Sequence, residues 1–273
     1  MGASPAKPMI AAAVQLTARA DKERNVNTAE RLVEEAAQRG AGLVALPELF
    51  TCLAEPEVIV ANAEPIPGPI SRRLSALAAR LRITLVAGSL AEQSSIAGKV
   101  QNTSLLFGAD GRQLALYRKI HLFDVQIPGQ VSFRESEFMI PGQEVVVTDT
   151  PAGRLGQATC YDLRFPELFR RLVDAGAQIM AVPSAFTLAT GRDHWEVLLR
   201  ARAIENQVYL IAPNQYGRHT ASIQTYGRSM IVDPWGTVLA TAPDGEGVIT
   251  AELDLHRQEE IRQHIPALQH RRL

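Results

Sequence analysis

The stretch around which the chain is organised is GRLGQATCYDLRFPEL, residues 153–168. Its short and largely apolar part at 155–159 predicts a strand, and Pro166, followed by apolar residues at helical spacing, predicts a helix. Cys160 therefore lies on a strand-to-helix turn, where backbone N–H groups can face a developing oxyanion. A lone cysteine is more often a buried packing residue. Polar and charged residues follow Cys160, however, so we interpret it as a nucleophile.

Composition limits the kind of protein this can be. The chain has 273 residues, 46% of them hydrophobic, which is enough for the core of one large α/β domain. A net charge of −1 without a long basic cluster gives no reason to expect a nucleic-acid partner. Two cysteines, no apolar run near the roughly 20 residues of a membrane span, and no secretory signal predict a cytoplasmic protein with no membrane partner.

Apolar runs typical of buried strands alternate with amphipathic helices along the chain. The predicted strands are 9–16, 42–46, 83–90, 102–107, 114–117, 144–148, 155–159, 179–183, 208–213, 229–233, 238–242 and 248–253. The predicted helices are 28–38, 70–81, 166–176 and 194–207, and residues 127–142 form a long irregular segment of a kind that is often functional. We expect an α/β fold: a lead over 1–8, one domain over 9–254, and a tail over 255–273 whose apolar residues suit packing on a surface.

Two further residues are candidates for catalysis together with Cys160. Glu48 and Lys119 each follow a predicted strand, and alone they would be an ordinary loop glutamate and a surface lysine. Hydrolysis of an amide needs a nucleophile, a group that takes and returns a proton, and positive charge near the oxyanion. We therefore predict Cys160 as nucleophile, Glu48 as general base and acid, and Lys119 with the Tyr161 N–H as the oxyanion contact. A lysine beside the thiol is also expected to lower its pKa.

Three segments carry a resemblance to a known family: LPELF at 46–50, YRKIHLFD at 117–124 and TCYDLRFPEL at 159–168. They resemble the nitrilase superfamily of carbon–nitrogen hydrolases, whose Glu-Lys-Cys triad occurs in this order. The resemblance runs from about residue 9 to the end of the chain. It implies a single-domain, four-layer α-β-β-α sandwich with neither metal nor organic cofactor, and it puts the family's second glutamate at Glu135. It also implies a homodimer or higher homo-oligomer, in which dimers pair through the helices beside the nucleophile and the tail lies at the interface.

Two more segments narrow the resemblance to one branch: HWEVLLRARAIE at 194–205 and VDPWGT at 232–237. Both resemble the branch that holds ω-amidase and deaminated glutathione amidase. That branch implies hydrolysis of the terminal primary amide of a small 2-oxo acid, giving a carboxylate and ammonia through a cysteine thioester. The same triad would also hydrolyse a nitrile or an N-carbamoyl amine. The alternative from another class is a non-catalytic binding or scaffold protein on this fold, which predicts a disrupted triad.

Four residues are candidates for contact with a small-molecule substrate. Tyr161 follows the nucleophile, and Arg164, near the pocket mouth, is hypothesised to bind a substrate carboxylate. For Arg164 the alternative is a structural salt bridge with Glu167 or another acid. Phe186 and Thr190, in a predicted loop over 185–192, are candidates for the pocket wall. No metal site is predicted, because the histidines considered lack metal-ligand spacing with cysteine or acidic partners: His121, His194 and His219.

Overall fold

The computed structural model describes residues 9–129 and 131–272, and the predicted lead at 1–8 lies outside the described residues. The strands in the described part are β1 Met9–Gln15, β2 Leu43–Ala45, β3 Thr84–Val86, β4 Leu90–Gln93, β5 Val100–Phe107, β6 Gln113–Arg118, β7 Asp124–Ile127, β8 Val131–Arg134, β9 Val147–Thr150, β10 Gly153–Gln157, β11 Ile179–Ala181, β12 Tyr209–Ala212, β13 Tyr216–Arg218, β14 Gln224–Tyr226, β15 Met230–Val232, β16 Val238–Thr241 and β17 Gly247–Leu253. The α-helices there are α1 Lys22–Gln38, α2 Pro56–Ala61, α3 Pro69–Leu81, α4 Pro166–Asp174, α5 Leu188–Asn206 and α6 Leu255–His264. Short 3₁₀ turns cover Glu135–Glu137 and Cys160–Arg164.

Two large sheets form the centre of the fold. Within the described residues, the first has the order β17-β1-β2-β3-β5-β4 with β6 also paired to β5, and the second has the order β16-β15-β12-β11-β10-β9. Strands β1, β2 and β3 are mutually parallel, as are β10, β11 and β12. The carboxyl ends of parallel neighbours meet at one edge of a sheet, so residues that follow them come close together.

Side-chain alternation along the strands builds four layers. In β1, Ala12 and Val14 join the apolar cluster that includes α1 and α3, whereas Ala11 packs in the cluster between the two sheets. The outer face of the second sheet packs on α4 and α5 through residues such as Phe169 and Trp195. The predicted α-β-β-α sandwich is confirmed.

Several predicted elements differ from those observed. The single strand predicted at 83–90 is wrong: two strands, β3 and β4, are separated by a short connection that contains Gly88. There φ is +46°, and a Cβ would lie 2.1 Å from the Pro47 carbonyl oxygen. The close approach of these two segments therefore requires glycine. The segment predicted as irregular over 127–142 instead contains β8, which pairs with β7.

Helix α5 begins earlier than the prediction of 194–207. Its N-cap is Thr187, whose side chain accepts from the Thr190 N–H at 3.5 Å. Thr190 therefore lies in the first turn of the helix, so the predicted loop over 185–192 is wrong in its second half. The polar run before His194 concealed this helix start, because it lacks apolar periodicity.

The first part of the tail is helix α6, which packs on its own chain. The Gln258 side-chain amide donates to the carbonyls of Gln178 and Gln207 at 2.7 and 3.0 Å. Ile261 is buried. Among the described residues, the helices are all too short or too polar to cross a membrane.

Candidate active site

Cys160 opens the 3₁₀ turn that follows β10. Its φ is +48°, a left-handed conformation that is uncommon for a residue other than glycine. The Cys160 N–H donates to the Pro183 carbonyl at 2.9 Å, and the Thr159 N–H donates to Asp162 Oδ2 at 2.8 Å. These bonds hold the thiol at the carboxyl end of the second sheet, in a backbone conformation that is more common at functional sites than elsewhere.

Glu48 follows β2 at the facing edge of the first sheet and is 3% exposed. Its Oε2 accepts the Ala185 N–H at 2.9 Å. Its Oε1 accepts from Lys119 Nζ at 2.9 Å and from Asn102 Nδ2 at 2.8 Å. Each carboxylate oxygen thus has a donor, and the carboxylate is fixed in one orientation.

Lys119 follows β6, where its N–H extends the pairing with β5 by donating to the Asn102 carbonyl at 2.9 Å. The side chain is 2% exposed. Its Nζ lies 2.9 Å from Glu48 Oε1, 2.8 Å from Glu135 Oε2 and 3.0 Å from Glu135 Oε1. Glu135, buried at the start of its 3₁₀ turn, also accepts the Phe123 N–H at 2.6 Å. One ammonium group therefore joins two buried carboxylates.

Burial and neighbouring charges set the ionisation of this cluster. Burial, with the negative charge of Glu48, raises the pKa of the Cys160 thiol well above its usual value, although Lys119 opposes the shift. Burial lowers the pKa of Lys119, but Glu135 and Glu48 outweigh that effect and hold it well above the usual value. Burial also raises the pKa of Glu135, against the opposing charge of Lys119. Lys119 thus lowers the thiol pKa as expected, but burial and the charge of Glu48 outweigh it, so the net shift of the thiol pKa is upward.

A cavity of about 1080 Å³ lies over this cluster. Glu48, Lys119, Glu135 and Cys160 all line it. It is also lined by the four residues predicted to contact substrate: Tyr161, Arg164, Phe186 and Thr190. The structure thus brings together all eight predicted site residues from distant parts of the chain.

Arg164 lies in the cavity wall among aromatic rings. Its guanidinium carbon is 5.1 Å from the centre of the Phe186 ring and 5.8 Å from that of Tyr161. Its Nη1 is 3.1 Å from His194 Nδ1. Among the described residues, no carboxylate, Glu167 included, lies within 4.0 Å of this guanidinium. The arrangement leaves the positive charge available to an anion in the cavity, rather than neutralised by a structural salt bridge.

Two buried polar residues of the site were not predicted from the sequence as site residues. Asn102, inside β5, contacts Glu48. Asp162 is fully buried and also accepts the Tyr117 hydroxyl at 2.5 Å and the His121 N–H at 3.0 Å, which ties the segment around Lys119 to the nucleophile turn. A single polar residue in an apolar strand or turn forms no periodic pattern, so only the anomaly of its polarity could have drawn attention.

Two other buried side chains, Cys52 and His219, do not line this cavity. Cys52 is 2% exposed, and burial raises the pKa of its thiol to about 11. His219 is also buried, and its Nδ1 lies 2.6 Å from the Ala18 carbonyl oxygen. Within residues 9–129 and 131–272, no cluster of three or more His, Cys, Asp or Glu side chains is arranged to hold a metal ion.

Comparison with known proteins identifies the family. The carbon–nitrogen hydrolase family model matches residues 10–263, and the chain belongs to that family, whose members act on carbon–nitrogen bonds other than peptide bonds. It is 45% identical to the deaminated glutathione amidase of Rattus norvegicus over 268 residues, 96% of this chain and 82% of that protein. It is 44% identical to the omega-amidase NIT2 of Xenopus tropicalis over 251 residues, 92% of this chain and 90% of that protein. A solved nitrilase-superfamily structure from Saccharomyces cerevisiae superposes with a TM-score of 0.88 at 36% identity, covering 99% of this chain and 100% of that one.

Proposed function

We propose that this chain is a thiol-dependent amidase that hydrolyses the amide of a small 2-oxo acid through a thioester at Cys160. The observation that carries the proposal is the buried cluster in which Lys119 Nζ bonds both Glu48 and Glu135 in the cavity that Cys160 lines. The names of the similar amidases support the substrate class.

In the acylation step, Cys160 Sγ attacks the amide carbonyl carbon and its proton passes to Glu48. Burial and Glu48 raise the pKa of the thiol, so transfer of its proton to Glu48 accompanies attack. The oxyanion accepts a hydrogen bond from the Tyr161 N–H and is stabilised by the charge of Lys119. Tyr161 lies in the first turn of a 3₁₀ helix, where N–H groups lack intrahelical acceptors. Glu48 then protonates the leaving nitrogen, and the C–N bond breaks.

In the deacylation step, water attacks the thioester carbon. Glu48 takes a proton from the water, the C–S bond breaks, and Cys160 regains its proton as the carboxylate product forms. Glu135 holds the substrate amide or, through Lys119, orients Glu48. Since the same glutamate works in both half-reactions, its fixed orientation through the Ala185 N–H is part of the mechanism.

The substrate carboxylate is proposed to bind Arg164. The guanidinium lies in the cavity wall against aromatic rings, and its Nη1 contacts His194 Nδ1 rather than a carboxylate. Phe186 and Thr190 are proposed to form the adjoining wall. A planar guanidinium suits two-point binding of a carboxylate.

The two substrate types named for the relatives differ in their leaving group. Glutathione has no primary amide, so hydrolysis of an amide in its deaminated form releases an amine. The ω-amidase type of substrate, 2-oxoglutaramate, has a primary amide and releases ammonia. The primary amide and ammonia expected from the sequence therefore fit only the second type, and an assay must follow the 2-oxo acid product as well as ammonia.

The experiment is a panel of four compounds: 2-oxoglutaramate, deaminated glutathione, an aliphatic nitrile and an N-carbamoyl amino acid. We expect turnover of one or both 2-oxo acid amides, and none with Cys160→Ala. Selective turnover of the nitrile or the carbamoyl compound would replace the proposed substrate class. No turnover of any compound by the folded protein would favour a binding or scaffold protein.

We further propose a homodimer. We define a patch of four exposed apolar side chains, Val197, Ile204, Trp235 and Ile265, whose exposures run from 46% to 66%. Three of them line a second cavity of about 370 Å³, and Val197 lies two turns from Ile204 on α5. A contiguous exposed apolar patch marks an interaction surface. The domain would then span 9–254, with the tail over 255–273 beside this patch.

A cytoplasmic location is part of the same proposal. Both cysteines are free and buried, and a thioester mechanism needs Cys160 as a thiol rather than a disulfide. Reducing compartments keep thiols in that state.

A further inference from the structure

We infer that Asn102 is a positioning residue of the reaction, acting through Glu48, and this inference rests on the proposed function. Asn102 lies in β5 and is 1% exposed. Its Nδ2 donates to Glu48 Oε1 at 2.8 Å and makes a longer contact of 3.4 Å with Glu135 Oε1. Its side chain thereby bridges the two carboxylates that Lys119 also joins.

The contacts of Asn102 suit this role rather than the stability of the strand. Its backbone carbonyl already serves the strand pairing by accepting the Lys119 N–H. Among the described residues, the side-chain amide bonds only Glu48 and Glu135, and its oxygen accepts no bond. Two carboxylates therefore fix the orientation of the amide, with its NH₂ toward them.

The charges around Glu48 explain why a neutral donor is needed there. The ionisable groups that face Glu48 are Lys119, Glu135 and Cys160. If both glutamates are ionised, the single lysine leaves an excess negative charge in a buried site, where a donor to the charged form stabilises it. Asn102 supplies that donor without adding an ionisable group, so it cannot itself exchange a proton with the substrate.

Loss of the Asn102 side-chain amide is expected to affect the ionisation of Glu48, the proposed base. Without the Asn102 donor, the anionic form of Glu48 is less stable, so the acidic limb of the pH–rate profile moves to higher pH. Glu48 Oε1 is then held by Lys119 alone. Because Asn102 lies behind Glu48 and does not line the cavity, substrate binding is expected to change little.

The test compares Asn102→Leu with Ser104→Ala, a matched control on the same face of β5. Ser104 is 1% exposed, and its Oγ accepts from Gln157 Nε2 at 3.1 Å rather than bonding either carboxylate. With 2-oxoglutaramate as the probe, we expect Asn102→Leu to lower kcat roughly 10- to 100-fold with KM within about threefold. We expect its acidic limb to move up by about one pH unit, with both features near wild type in Ser104→Ala.

A second variant guards against loss of folding. Asn102→Asp has nearly the same size but presents an acceptor to both glutamates, so kcat above neutral pH should fall at least as far as in Asn102→Leu. Wild-type kcat in either folded variant, or losses matched by Ser104→Ala without a shift of the pH profile, would overturn the role.

A substrate-free measurement separates this inference from the proposed function. The infrared C=O band that Glu48→Gln removes should titrate at higher pH in Asn102→Leu than in wild type. An unshifted band would refute the positioning role even if no amide is turned over. A shifted band in a protein inert toward the four-compound panel would instead refute the proposed function alone.

Discussion

Lys119 is a buried charged residue whose contacts explain why it is tolerated. It is 2% exposed, yet it remains charged because Glu48 and Glu135 both bond its Nζ. A buried charge is stable only with partners, and removing one partner leaves the others uncompensated. Here the loss of one cation would leave two carboxylates facing each other.

Lys119→Met is therefore expected to lower the free energy of unfolding by about 3–5 kcal/mol at pH 8. The loss should shrink at pH 5.5, because the carboxylates can then take up protons. Urea unfolding at the two pH values measures this change. The double variant Lys119→Met with Glu135→Gln should recover part of the loss, and a Lys119→Met protein as stable as wild type would contradict this account of the cluster.

Arg164 gives a second expectation at the same scale. Arg164→Met should raise KM for a 2-oxo acid amide about tenfold or more, because a charge-assisted bond to the carboxylate is lost. KM for a neutral aliphatic amide should change less than about twofold. Steady-state kinetics of both substrates measure the difference, with Arg171→Met, an exposed arginine on α4, as the control. Equal effects on the charged and neutral amides would refute the anion contact.

At the scale of elements, a buried histidine fastens the hairpin of β13 and β14 beside the cavity. His219 Nδ1 donates to the Ala18 carbonyl at 2.6 Å, and its Nε2 accepts from the Thr225 hydroxyl at 2.7 Å. Thr225 lines the cavity. Burial lowers the pKa of His219 to about 4. Between pH 6.5 and 4 the unfolded chain thus binds a proton that the folded chain does not, so stability falls as pH falls through this window.

This linkage gives an expected loss of about 2.5 kcal/mol from His219 between pH 7.5 and pH 4.5. In His219→Asn that part of the acid sensitivity should disappear. His256→Asn, whose side chain is 76% exposed in the native protein, should keep it. Unfolding free energies at the two pH values decide the matter, and the same acid loss in both variants would show that His219 is not the source.

The sequence predicted the elements that have strong patterns. The apolar runs predicted most strands of both sheets, and Pro166 correctly predicted the start of the helix that follows the turn at Cys160. Elements with weak patterns were missed: β7 and β8 are short and half exposed, and the first turns of α5 contain Gly191 and polar residues. Glu135 came from the family resemblance alone, because nothing in its local pattern distinguishes it from Glu137.

The ionisation of the site residues was less predictable from the sequence than which residues form the site. That Glu48, Lys119 and Cys160 would meet followed from each lying after a strand. The raised pKa of the Cys160 thiol did not, because it depends on burial and on the distance to Glu48. Asn102 escaped notice for a similar reason: its partners are distant in sequence and lie on other elements.

For the whole molecule, the patch of Val197, Ile204, Trp235 and Ile265 leads to a test of assembly. Trp235→Glu should convert a dimer to a monomer, or weaken the dimer at least tenfold, because a charge would be buried at an apolar interface. Sedimentation velocity over a range of concentrations measures the change. The matched control is Ile96→Glu, which alters a 53% exposed apolar residue in the loop between β4 and β5, away from the patch. A monomeric wild-type protein, or a Trp235→Glu dimer of undiminished affinity, would contradict the proposed interface.

The groups proposed to carry out the reaction lie at the facing edges of the two sheets. Glu48 follows β2, Lys119 follows β6, and Cys160 follows β10. Two sheets packed face to face can hold such groups rigidly at their carboxyl ends, which is what acyl transfer through a fixed base requires.

The most direct test of the central claim is to look for the acyl-enzyme. Wild-type protein mixed with 2-oxoglutaramate is quenched in acid within the first turnover, digested, and analysed by mass spectrometry. We expect a 2-oxoacyl adduct on the peptide that contains Cys160, none on the peptide that contains Cys52, and neither adduct nor turnover in Cys160→Ala. Turnover without any adduct on Cys160, persisting in Cys160→Ala, would contradict it.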